Sequence, residues 1–552
     1  SRFKKMKKII VLQLLFFTIA IIAQENDNIV VGFESNSQYY IDDKKTGDFT
    51  EPNRFRSNNY LKVDYSISKF SFGIQVEGYE PMSLLNYSPD FNTTNIALYY
   101  AKYASKKIEA TAGYFYEQYG SGLILRSWED RQLGINNALR GGRIKFFPTE
   151  NITLSALYGN QRSGFDVSDA NIYGFNSEVN ISSILKANSW NLDLGLSYVG
   201  RKEEKNTTDF NFNDLTNAFS SRLDFSKNNF YSSAEFVSKS DDAVIIFNEI
   251  RNAKPGSAFL FDVGYGKKGF GINANFRRIE NMTFYSQRSA TGNIYNENII
   301  NYIPALTKQH DYLLTNIYVY QAQPQISFQD FELLKIGEIG GQVDLFYTLK
   351  KKTSLGGKYG TKIALNMSYW AGLSGEYDYL NFEYDSDLLS FGEKYFSDIS
   401  LEIRKKWSSE WSSVFYYVNQ YYNKRYVEET FGNVKTDIFV SESTYKLGAG
   451  KSLRFEAQHL WSKDDKKNWA GGTLEFNLNS RFAVYVNDIY NYGNDNKTKR
   501  IHYYNFGSSY TKGAKRFALN YGRQRGGLIC IGGVCRFVPE STGLTANIVL
   551  SF

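Results

Sequence analysis

Three histidines and two cysteines are all that this chain offers to the chemistries that depend on those side chains. A lipid-cleaving site on a strand face needs a His and a Ser two residues apart, whereas His459 and His502 are followed at that spacing by Trp461 and Tyr504. A proteolytic site built from acids and a His has one candidate, His310 beside Asp311, and a solvated or loop-packing pair is the expected reading. Two cysteines and scattered histidines give no four-ligand cluster at zinc spacing. Asp241 with Asp242, and Asp385 with Asp387, lack the spaced oxygens and glycine of a calcium loop. The glycine-rich stretches 140–143 and 526–534 have neither the following helix nor the lysine of a phosphate cradle. The expectation is therefore a protein without catalytic residues, metal ligands or cofactor, and not an enzyme.

Cys530 and Cys535 flank Ile-Gly-Gly-Val and are expected to form a disulfide that shapes one loop and is reachable from outside the cell. Four intervening residues do not make a redox CxxC motif. The remaining candidates are charges on one strand parity: Lys62, Asp64, Arg143, Lys145, Asp193, Arg222, Asp224, Arg277, Glu402, Arg404, Arg454 and Glu456. Such residues line a water-filled lumen or form pairs that brace a wall, and neither sign dominates.

Charges on one parity require strands to carry them, and composition agrees. There are 43 Tyr, 42 Phe and 7 Trp against 8 Pro, with a mean hydropathy of −0.42. Apolar residues recur with period two: Leu192, Leu194, Leu196 and Tyr198; Ile399, Leu401 and Ile403; Leu453, Phe455, Ala457 and Trp461; Leu544, Ala546, Ile548 and Leu550. Connections alternate long and short. Tight joints fall near Lys69, Lys107, Pro148 to Asn151, Lys186, Lys227, Lys268, Ser408 to Glu410, Gly448 to Gly450, Ser480 and Lys512 to Lys515, with Lys350 to Gly360 an extended joint on the same side. This rhythm predicts an all-β, transmembrane up-and-down antiparallel barrel of about 24 strands, within 22 to 26. All eight prolines, Pro52, Pro81, Pro89, Pro148, Pro255, Pro304, Pro324 and Pro539, are expected between strands.

Lys7 and Lys8 precede an apolar run ending at Ala23, which predicts a signal peptide over residues 1–23 cleaved between Ala23 and Gln24, leaving 24–552 as one barrel domain. Those 23 residues hold five Lys and Arg and no acid, so 59 basic side chains remain against 57 acidic, and no nucleic-acid partner is expected. The predicted location is the outer membrane of a Gram-negative bacterium with both termini periplasmic. Phe552 ends the chain on the apolar parity of the last strand, like the C-terminal signature read by the barrel assembly machinery. Outer-membrane lipid and that machinery are thus expected partners, with an envelope protein a further one.

Three stretches, GSGLILRSWEDRQLG from Gly120, NYIPALTKQH from Asn301 with LFYTLKK from Leu345, and CIGGVCRFVPESTG from Cys530, resemble Bacteroidota outer-membrane barrels catalogued only as a domain of unknown function. The resemblance implies an outer-membrane location and supplies no activity.

A 24-stranded ring left empty would leak. The segment Asn281 to Leu334 far exceeds the ordinary connection of about 4–6 residues and is too apolar to remain solvated. It is expected to fold inward, with Pro304, Lys308, His310 and Asp311 near the lumen wall and the loop Gln118 to Asn137 beside it. Two functions fit: a loop-occluded channel or transporter of unknown substrate, or a non-transporting barrel that serves envelope assembly or secretion as scaffold or accessory subunit.

Overall fold

The computed structural model describes residues 28–204, 213–246, 249–288, 290, 293, 295, 297–327, 333 and 335–552. The predicted signal segment, with Ala23 and Gln24, lies outside them. Among the described residues, 24 strands form one closed antiparallel ring in which each strand pairs with its neighbours in sequence. Closure is made by the first strand, Ile29–Tyr40, against the last, Ser541–Ser551, in a register that runs from Gly32 with Ser551 to Tyr40 with Gly543. Phe552 continues it, exchanging backbone hydrogen bonds of 2.9 and 3.1 Å with Val31.

The period of two explains which side faces out. Along Lys451–Trp461, Phe455 is 56% exposed while Glu456, one residue on, is 3% exposed. Phe219, Phe236, Ile399 and Phe506 share that outer face, an apolar surface that needs lipid against it. Trp407 and Trp411, with rings 5.5 Å apart, flank one short connection, where amphipathic rings suit the edge of the hydrocarbon.

The tight joints fall where the spacing places them, for example between Ile67 and Phe70, Lys227 and Phe230, and Lys512 and Lys515. The lysine-rich insertion between Leu349 and Thr361 lies on the same side. Two expectations need correction. Two hairpins, Phe230–Ile246 with Glu249–Lys267 and Thr361–Asp378 with Glu383–Lys406, run well beyond the ring, the second closed by a tight turn, where long loops were expected. Prolines also enter strands: Pro148 lies in Leu139–Thr149 and Pro255 in Glu249–Lys267. Both sit at register breaks, where the ladder asks for no proline N–H.

Because the ring is hydrogen-bonded all round, the protein in SDS without heating should migrate differently from the boiled protein. Identical migration would overturn closure.

Candidate functional site

The interior is filled by three connections from the long-loop end of the barrel. The first lies between Phe115 and Leu139, and the second between Glu280 and Gly337. The third is the hairpin Gly527–Ile531 with Val534–Val538. Their contacts reach wall positions all around the ring, from Arg201 to Gln458 and Arg525, which is possible only from inside.

Apolar side chains seat this plug on two sectors of wall. Leu123, Ile124 and Leu125 pack with Met282, Phe284 and Ile300 against Ile172, Val199, Ala218 and Val237. On another sector, Tyr312, Leu314, Ile317 and Tyr320 pack against Trp370, Phe396, Tyr416 and Leu460. Each such side chain taken from water contributes about 1.5–3 kcal/mol. This is why the segment does not stand free.

The plug's backbone is mostly irregular; within the second segment the described regular pieces are the 3-10 turn Leu314–Asn316, 3-10 positions at Asn293 and Tyr295, and isolated bridges. Its peptide groups therefore need partners from elsewhere. Amide side chains supply them. Asn301 donates to the carbonyls of Leu123 (3.1 Å) and Met282 (2.7 Å), Gln161 to that of Ile299 (2.6 Å), and Asn316 to those of His310 (2.9 Å) and Tyr312 (3.0 Å).

Buried charges add fixed points. Asp242 accepts from Arg201 at 2.5 Å and from Arg288 of the plug at 2.7 Å, while Glu203 meets Arg288 at 2.8 Å. Glu338 accepts from Arg277 at 2.6 Å, from the Tyr320 hydroxyl, and from the Gln323 N–H at 2.9 Å. Sequence reading singled out Arg277 but not its partner, although Glu338 shares the inward parity of Gln342 and Asp344.

His310 does not pair with Asp311. Its Nδ1 lies 2.5 Å from the Tyr416 hydroxyl and its Nε2 3.1 Å from Asp398, whose other oxygen accepts from Ser368; Asp311 points to solvent. Lys308 stands 5.0 Å above the Tyr416 ring. Pro304 packs on Gly533, where an added Cβ would lie 2.8 Å from the proline and 2.7 Å from the Ala305 carbonyl. His459 packs at a tilt against Trp461, ring centres 4.1 Å apart, and bonds Tyr492 at 2.8 Å, on the outer parity.

Cys530 and Cys535 are disulfide-bonded across a directly paired position of the third hairpin, and Gly532 and Gly533, both at positive φ, make its turn. That tip rests on the plug, with Ala305 N–H donating to Gly533 at 2.9 Å and the Tyr302 hydroxyl to Gly532 at 2.6 Å. Cys535 is 3% exposed, whereas Cys530 is half-buried.

Towards the short-connection end, the named wall charges are paired with neighbours on the same face. Arg143 meets Glu109 on the wall at 2.5 Å and Glu117 of the first connection at 3.3 Å, with Lys145 on the same Glu117 at 3.1 Å. Arg222 bridges Glu178 (2.8 Å) and Asp224 (2.7 Å), Arg404 meets Glu402 at 2.5 Å, and Arg454 lies 2.7 Å from Glu456 and 3.1 Å from Glu442. Among the described residues, no group of three or more His, Cys, Asp or Glu could hold a metal ion.

A family model matches residues 6–552. The chain belongs to the family of unknown function DUF6029. No curated protein matches it. Among solved structures it is similar to the siderophore receptor PirA from Pseudomonas aeruginosa, at 9% identity over 95% of this chain and 80% of that one, with a TM-score of 0.42. OpdK of the same organism, solved with vanillate, is 8% identical over 95% and 98%, with a TM-score of 0.36. A chain of an E. coli P pilus tip assembly intermediate is 11% identical over 95% and 60%, with a TM-score of 0.47. The architecture stands on the closed ladder itself.

Two expected outcomes follow from the plug's charges. Glu338→Ala leaves Arg277 buried without its carboxylate and should lower stability by about 3–5 kcal/mol, measured by urea unfolding; a midpoint equal to the parent's would show that the pair carries no such strength. Burial raises the Glu297 carboxyl to about 7, with Arg536 opposing. A raised carboxyl favours the seated plug while protonated, so protection of amides near Tyr295 to Asn301 should be complete below about pH 4.5, fall as pH rises to about 7, and level off above. Hydrogen exchange in Glu297→Gln should show no such fall.

Proposed function

We propose that the protein is an outer-membrane conduit for small solutes, closed by its own loops. The signal segment directs export and is cleaved between Ala23 and Gln24, both termini and the short connections face the periplasm, and the barrel assembly machinery inserts the barrel into outer-membrane lipid. What carries this reading is the imperfect fit of plug to wall. Cavities of about 550 Å³ and about 400 Å³ lie beside the second segment, and the wall towards the short connections is lined by paired charges. A lumen meant only to be filled would gain from apolar side chains at those places. Function here needs no chemistry on the solute, in line with a chain whose histidines all serve packing or hydrogen-bonding roles.

A second reading, a scaffold or accessory subunit that docks an envelope protein, is favoured by the projecting hairpins. Leu380, Leu388 and Leu389 on the second of them are 88%, 74% and 68% exposed.

Replacing Pro304 to Gln325 by a short Gly-Ser linker removes Tyr312, Leu314, Ile317, Tyr318 and Tyr320 from the interior. Single-channel conductance in planar bilayers and antibiotic sensitivity should both rise while heat-modifiable migration is kept. A folded deletion variant that conducts no better than its parent would defeat the conduit and favour the scaffold.

A further inference from the structure

The larger cavity has a wall unlike the rest of the lumen. Where the plug seats, the inward residues are Val, Ile, Leu and aromatic; towards the short connections they are ion pairs. Beside the cavity, five adjoining strands, the fourth-last to the last and then the first across the closure, turn uncharged amides and small residues inward. In register, Asn487 pairs with Asn505, Asn505 with Gly522, and Gly522 with Gly543. One rung down, Gln38 pairs with Thr545 and Thr545 with Asn520. Below that, Asn36 lies opposite Asn547, whose amide donates to it at 2.6 Å.

The charges bordering the cavity are of both signs. Arg523 is held by both oxygens of Asp43, at 2.6 and 2.9 Å. Arg525 is turned onto backbone, donating to the carbonyls of Gly526 (3.0 Å) and Asn316 (2.9 Å). Lys308 stands over the Tyr416 ring, and Asp311 carries the opposite charge. Aromatic faces are present as well: Tyr318 and Tyr503 line the cavity, with Tyr503 stacked on Trp469 at 6.1 Å.

We propose that this cavity is a subsite for uncharged polyhydroxylated solutes, sugars of one or two rings. An amide offers an acceptor oxygen and two donor hydrogens, and a sugar hydroxyl both donates and accepts, so a ladder of amides matches a ring of hydroxyls without a counter-charge. The tyrosines supply apolar faces for the C–H side of the ring. A carboxylate entering the same cavity would meet Lys308 and Arg525 but also Asp311, so charge gives no single-sign attraction, whereas each amide of the ladder can serve a hydroxyl. A volume of about 550 Å³ is in the range of small-molecule sites and admits a disaccharide.

The inference deepens the conduit reading and rests on it for the direction of travel, so binding and passage are measured separately. Saturation-transfer NMR on the full chain in detergent should show maltose bound and size-matched glutamyl peptides not. Asn487→Leu with Asn520→Leu, which keeps side-chain size and removes hydrogen bonding, should weaken maltose binding by about five-fold. Gln38→Leu serves where the double variant loses heat-modifiable migration. Liposome swelling should be faster in maltose than in the charged solutes. Maltose signal no stronger than the peptides', or unchanged in both variants, overturns the subsite. Swelling led by charged solutes overturns it while leaving a conduit. Amide-dependent binding with no swelling in any solute upholds the subsite and removes the conduit.

Discussion

A ring of 24 hydrogen-bonded strands is wider than side chains from its own wall can fill, and most features of this protein answer that one constraint. The filling must come from the connections, and it cannot join the sheet of the ring, because the ring leaves no free edge to extend. Irregular backbone at this depth is tolerated only where every peptide group has a partner. Hence the amide side chains: Asn301, Gln161, Asn137 and Asn281 each donate to carbonyls of the filling or of the adjoining wall. Apolar contact holds the plug, and the amides make its shape permissible.

Wall and plug are matched sector by sector. Aliphatic positions such as Val199, Val237 and Val440 occur where the plug lies flat. Arg201, Arg277 and Glu338 occur where one polar point must be fixed, and there each charge finds an opposite one. Amides occur where the plug stands off. The exterior has no such divisions, since lipid asks only for apolar surface.

Strand order, parity and the short joints were legible in the sequence because they are local: alternation over Leu453 to Trp461 decides which side chain faces out whatever lies opposite. The inward fold of Asn281 to Leu334 was legible from its length and tyrosine content. What stayed hidden depends on register and on distance through space. Asp242 meets Arg288 only because a bulge around Pro255 sets the end of one hairpin beside the loop. His310 stood next to Asp311 in sequence, yet its partners Asp398 and Tyr416 arrive from the wall. The projecting hairpins were missed because alternation breaks near the rim, at the register shifts between Lys239 and Asp242 and between Trp370 and Gly375, so the strand beyond each break reads as loop.

The third hairpin enters the ring immediately before the strand that closes it. Its glycine turn lies on Tyr302 and Ala305, and Arg536 reaches the carbonyls of Asn86 and Tyr295. In the closed ring the hairpin lies across the second segment, so that segment cannot leave unless the hairpin moves first. The seam of the wall and the cap of the interior thus belong to one stretch of chain, Gly527 to Ser551, and a change that loosens the hairpin from Tyr302 and Ala305 loosens the cap directly beside the seam.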